Sequence, residues 1–124
     1  LPTGKLTLLP AKEEKSSNEN SMGVLFESAE CVILITGDRN RAGEKELIRD
    51  YALPDVDVLI AGHHGSKKAT SQELLQAVRP EIVIISVGAN NSYGHPASEV
   101  LERLSEFGCI VYRTDERGSV LLRR

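Results

Sequence analysis

Tryptophan is absent, and aromatic residues make up only 4% of the chain. Any core must therefore be mainly aliphatic. Cysteine occurs twice, as Cys31 and Cys109. Two unclustered thiols make no zinc framework. Each opens an apolar run, which favours buried free thiols over a disulfide. No apolar stretch approaches the roughly 18–20 residues that cross a bilayer, and no signal peptide is visible. The first residue is Leu1 rather than Met, so the chain reads as a piece of something longer, and these absences describe the piece alone. Basic charge is scarce too. The formal net charge is −3, with no basic block apart from Arg123-Arg124. That argues against holding nucleic acid by bulk charge alone. It does not exclude a nuclease, because a bound divalent metal supplies local positive charge.

What is present fits one soluble globular domain. The 124 residues are 40% hydrophobic and 27% charged, enough to bury a core. Residues 1–21 read as an edge strand ending at Pro10, then a flexible polar loop. The structured core is expected over 22–124. GVLFES and CVILITG read as strands joined by a hairpin at 28–30. Residues 43–52 place Leu47, Ile48 and Tyr51 on one helical stripe. VDVLIAG is a further strand. Residues 71–78 read as a helix with Thr70 and Glu73 as its capping box, ended by Arg79-Pro80. EIVIISVG is again a strand. Residues 96–107 read as a helix with Pro96 in its first turn and Gly108 at its C-terminus. CIVYR and SVLLR close the chain as strands around a DERG turn. This alternation predicts an α/β fold. CVILI, VDVLIA and EIVIIS are continuous apolar runs, which predicts burial on both sheet faces.

The chemistry-bearing residues follow three of these strands. The first is followed by Thr36-Gly37-Asp38, the second by Gly62-His63-His64-Gly65-Ser66. The third leads through Asn90 and Asn91 to Tyr93-Gly94-His95-Pro96. If the strands are parallel, these loops meet at the sheet edge where open α/β folds place ligands. Asp with His is a usual donor set for zinc or manganese. Each residue also has a plainer role. Asp38 suits a turn or cap, His95 a helix entry, and Lys67 and Lys68 are either solvated charges or anion contacts. On an extended backbone, neighbouring side chains point opposite ways. At most one of His63 and His64 would then face a given metal. Ser66 lies outside any G-x-S-x-G nucleophile elbow.

Taken in order over roughly residues 18–124, NENS, CVILITGD, VDVLIAGHHGS, IISVGANNSYGHP and VYRTDERGSV resemble one family. It is the ComEC family of membrane proteins for DNA uptake in natural competence, and the match is to the C-terminal half of its metallo-β-lactamase-like domain. The resemblance implies half of an αββα sandwich, a mixed sheet with about three helices. It implies two divalent metal ions in the intact domain, zinc or manganese, and DNA as partner of the parent protein. Carried over by position, Asp38 takes the place of the metal-bridging Asp and His64 that of the final His ligand. His63 and His95 are the catalytic candidates, contacting phosphate or assisting the leaving group. Ser66, Lys67 and Asn91 are candidates for substrate contact. Asn20 and Ser21 fall where the superfamily often carries another ligand-bearing motif.

The H-x-H-x-D-H motif that supplies most ligands in that superfamily is absent here. By itself the chain is therefore expected to be inert and to bind metal weakly or not at all. Its exposed sheet face would need the missing N-terminal half or a second copy to cover it. The segment itself is expected to make no membrane contact. Two functions stay open for the parent: a metal-dependent nuclease that degrades one DNA strand during uptake, or a non-catalytic docking or DNA-guiding module. A nucleotide-binding domain is disfavoured, since neither G-x-G-x-x-G nor a P-loop is present.

Overall fold

In the computed structural model, residues 4–11, 22–88 and 94–118 are described. Six strands form one sheet: β1 (Gly4–Leu9), β2 (Gly23–Ser28), β3 (Val32–Ile35), β4 (Val58–Ile60), β5 (Ile82–Ile85) and β6 (Ile110–Arg113). They lie side by side in chain order. The first two pairings are antiparallel and the remaining three parallel. The helices are α1 (Arg41–Asp50), α2 (Gln72–Val78), α3 (Ser98–Phe107) and a single turn, α4 (Thr114–Arg117). The fold is α/β with a mixed sheet and four helices, as expected of half an α/β sandwich.

Local chemistry sets the element ends. Ser28 closes the β2–β3 hairpin: its N–H donates to Cys31 O, and its Oγ accepts from Cys31 N. Helix α1 starts two residues before the predicted 43, because the Asn40 side chain accepts the Gly43 N–H and caps it. The predicted Thr70 capping box does not form. Ser71 is the cap, accepting from Leu74 N, while Thr70 sits at φ 53°. Pro96 lies before α3 rather than in its first turn; Ala97 is the cap residue. Gly108 ends α3 at φ 94°, as expected. The DERG segment contributes to α4 instead of forming an open turn. The predicted final strand over 119–123 and all but the first residue of the polar loop predicted over 11–21 lie outside the described residues.

Three successive parallel crossovers all step in one direction along the sheet. Right-handed crossovers then put α1, α2 and α3 on the same face. On that face Leu25, Leu34, Leu59 and Val83 stand in register and pack with Leu47, Leu74, Leu75, Val78, Val100 and Leu104. This is the core.

On the opposite face the predicted two-sided burial holds at Val58 of β4 and Ile84 of β5 and fails towards the edges. Alternation along each strand places two cross-sheet rows on it. One runs Leu6, Phe26, Ile33, Val58, Ile82, Ile110; the other Leu8, Val24, Ile35, Ile60, Ile84, Tyr112. Both rows are apolar or aromatic from edge to edge. Leu6, Leu8 and Ile110 are at least half exposed, at 64%, 57% and 50%, and even the central Ile35 is 38% exposed. The strands carry the sequence of a sheet buried twice, but among the described residues the helices cover one face, and the other is buried only in part.

Candidate functional site

Because β3, β4 and β5 are parallel neighbours, the segments that leave their C-terminal ends meet at one sheet edge. Backbone bonds fasten them together. His63 N donates to Gly37 O at 2.9 Å, which ties the GHHG turn to the TGD loop. Ala97 N donates to Gly65 O at 2.9 Å, which ties the same turn to the segment after His95.

The GHHG turn is not extended, so the alternation argument for its two histidines does not apply. His63 (φ 49°, ψ 44°) and His64 (φ 54°, ψ 31°) are both left-handed, and Gly65 follows at φ 82°. Two consecutive non-glycine residues in this region cost on the order of 1–2 kcal/mol each. Such strain persists only where surrounding contacts over-determine it, and it clusters at functional sites. The flanking glycines show what holds it. A Cβ on Gly62 would lie 2.9 Å from Thr36 Oγ1, and one on Gly65 would lie 2.7 Å from Pro96 Cβ. The turn is wedged between the β3 and β5 exits. Gly65→Ala is therefore expected to cost roughly 2–3 kcal/mol, from the left-handed φ plus the overlap with Pro96. A urea-midpoint shift below about 0.5 kcal/mol would show that the wedge does not matter.

The turn gives its two rings different partners. His64 Nδ1 lies 2.7 Å from Ser86 O. A carbonyl only accepts, so Nδ1 carries the proton, and the lone pair of the corresponding neutral tautomer is on Nε2, where a ligand can bind. His64 is exposed. The His63 ring meets His95 edge-on, with centroids 5.8 Å apart and planes at 71°. His63 Nδ1 is buried and has no hydrogen-bond partner among the described residues. Burial pushes the His95 pKa down, and the proximity of the His63 and His64 rings, which disfavours a further positive charge, adds to it. A neutral His95 offers one ring nitrogen as a hydrogen-bond donor and the other as a proton acceptor.

The other predicted residues take varied places. Asp38 is exposed in the TGD turn. Ser66 is buried, and its Oγ accepts from Lys68 N. Lys67 and Lys68 are exposed, and they line an open cleft with His63, Ser66 and His95. Asn91, Asn20 and Ser21 lie outside the described residues.

Two buried charges that the sequence did not single out support this edge. Arg39, next to Asp38, is fully buried and donates to Leu9 O (2.6 Å) and Gly43 O (3.2 Å). Burial lowers its pKa, while the nearby Glu46 carboxylate opposes that. Glu44 is also fully buried and accepts from Thr70 N (2.6 Å) and Ser71 N (2.9 Å). Thr70 Oγ1 in turn accepts from Gly62 N at 3.3 Å. Glu44 thus holds the loop whose other end is the histidine turn. Nothing in its sequence context distinguishes it from an ordinary helix-surface glutamate.

As a metal donor set, the edge is partial. The tautomer of His64 suits metal binding through Nε2. Among the described residues, no three His, Cys, Asp or Glu side chains gather closely enough to hold an ion. A closed zinc site takes about four ligands, so further donors would have to come from outside these residues.

No protein-family profile matches the chain. Curated relatives do. It is 37% identical over 113 residues to ComE operon protein 3 of Bacillus subtilis, covering 91% of this chain and 15% of that protein. It is 38% identical over 106 residues to Recombination protein 2 of Haemophilus influenzae, covering 86% of this chain and 13% of that one. Against Competence protein ComA of Neisseria gonorrhoeae it is 33% identical over 115 residues, covering 90% and 17%. The chain spans less than a fifth of the length of each relative. Among the described residues, no helix is long and apolar enough to cross a membrane.

Proposed function

The chain belongs to the ComEC family of competence proteins, and on that premise we propose that it is the C-terminal half of a metallo-β-lactamase-like αββα domain that hydrolyses phosphodiesters in DNA. The observation that carries this reading is the strained GHHG turn, in which Ser86 O holds the Nδ1 proton of His64 and leaves Nε2 open. Strain of that kind is retained where a site needs it. The apolar second face of the sheet supports the same reading, because a second sheet packed on it would complete the sandwich.

In this reading Asp38 and His64 hold part of the metal site, and the missing half supplies the remaining ligands. When bound, the divalent ions supply an acidified water and positive charge against the phosphate. His95, kept neutral by burial and by its histidine neighbours, would hydrogen-bond the phosphate or the leaving oxygen through its one ring N–H. His63 packs on His95 and fixes its ring. Lys67 and Ser66 line the cleft in front of them, where Lys67 would meet a phosphate.

The test uses the complete two-half domain. Asp38→Ala and His64→Ala are each expected to lower manganese-dependent DNA cleavage about a hundredfold, as loss of a metal-holding group does to the chemistry it supplies. Unchanged cleavage in both variants would overturn the site. A complete domain that binds DNA without cutting it would point instead to a guiding module.

A further inference from the structure

We propose that a second phosphate-binding stretch leaves the histidine site along residues 66–71 and ends between Arg41 and Arg103. There it holds the backbone of a nucleic-acid strand beyond the phosphate being cut. This inference rests on the phosphodiesterase reading above.

Two clefts carry it. The larger, about 570 Å³, lies before His63 and His95 and is bordered by Lys67 and Lys68. The smaller, about 160 Å³, is bordered by the same two lysines together with Arg41, Arg103 and Glu73. The shared lysines make the two neighbours. The smaller cleft gathers four cations against a single carboxylate in a chain whose net charge is −3. Positive charge is therefore concentrated where a strand leaving the site would pass. A groove of this kind tracks a backbone without reading its sequence.

The cations arrive from three elements and are held in place. Arg41 opens α1, and its N–H donates to Lys68 O at 2.7 Å. Arg103 comes from α3, and its Nη1 reaches Thr70 O at 2.9 Å and Ala69 O at 3.4 Å. A guanidinium has five N–H donors, and these two carbonyls engage only one of its nitrogens. Arg41 pairs with Glu73 at 2.6 Å, but the two side chains are 63% and 39% exposed. So exposed a pair is weak. A phosphate can replace Glu73 and offers the guanidinium two oxygens where Glu73 gives one contact. Lys67 and Lys68 are exposed and border both clefts.

The experiment compares the complete domain with its Arg41→Ala/Lys68→Ala variant, both positions being exposed. Binding of single-stranded oligonucleotides of about 4 and about 16 residues is followed by fluorescence anisotropy across a salt series. Cleavage is measured separately with manganese. The variant is expected to bind the longer strand about tenfold more weakly, with a salt slope reduced by about 1.4 for two lost phosphate contacts. The shorter strand should lose less. Equal losses at both lengths, or an unchanged salt slope, would overturn the path. If the unsubstituted domain shows the length-dependent binding but no cleavage, the path stands and the phosphodiesterase reading fails. Cleavage without any length preference defeats the path alone, and absence of both binding and cleavage defeats both.

Discussion

Aspartate at both Ile33 and Ile60 is expected to unfold the complete domain, or to destabilise it by about 5 kcal/mol or more. The two residues sit on adjacent central strands, one in each of the two apolar rows on the face away from the helices. If that face packs against a second sheet, each aspartate becomes an unpaired charge in a dry interface. Such a group costs several kcal/mol, and a typical domain has only about 5–15 kcal/mol to lose. In the 124-residue chain alone, where Ile33 and Ile60 are half-buried rather than enclosed, the same substitutions should cost less. They should also suppress self-association, which an uncovered apolar face of this extent promotes. Urea unfolding of the complete domain and sedimentation of the isolated chain check the two halves of this expectation. A complete domain that tolerates both aspartates would show that nothing packs on this face.

Removing the Glu44 carboxylate is expected to have the second-largest effect. Glu44→Ala leaves the Thr70 and Ser71 N–H groups without their acceptor inside a buried site. Each unsatisfied donor costs about 1–3 kcal/mol, and the lost side chain adds a cavity, so a loss of about 3–5 kcal/mol follows. Glu44→Gln keeps one acceptor and should cost about half as much. The pH dependence has a defined sign. Burial raises the Glu44 pKa above its usual 4.5, against the pull of the Ser71 and Thr70 hydrogen bonds and the charge of Arg103. A carboxyl raised on folding contributes stability that is full below about pH 4.5 and is lost as pH rises through the raised value. The gap between the natural protein and Glu44→Gln should therefore narrow from pH 4 towards pH 8. Denaturant melts across that range measure it, and a gap that widens instead would show that the N–H bonds outweigh burial. Amide exchange at Gly62 should quicken in Glu44→Ala, because Thr70, which holds Gly62, loses its own anchor.

Much of the architecture was legible because it depends on local pattern. Short apolar runs bounded by glycine and polar residues gave β2 to β6, and the helical stripe of Leu47, Ile48 and Tyr51 gave α1. The misplacements were local as well. Thr70 and Ser71 are both good caps, and only the loop path decides between them: it holds Thr70 at φ 53° with its N–H on Glu44. The convergence of TGD and GHHGS was legible too, since it follows once β3 and β4 are parallel.

By itself, then, the sequence determined the α/β order, the family, and the loops in which the histidines and Asp38 stand. These follow from residue type and spacing along the chain. The tertiary structure alone decided the left-handed turn at His63-His64, the Ser86 carbonyl that fixes the His64 tautomer, the buried supports Arg39 and Glu44, and the meeting of Arg41 with Arg103. Each of those depends on groups far apart in sequence that only packing brings within hydrogen-bonding distance. The apolar second face belongs to both. Its residues were visible as runs, but only the one-sided placement of the helices showed that the described residues leave much of it uncovered.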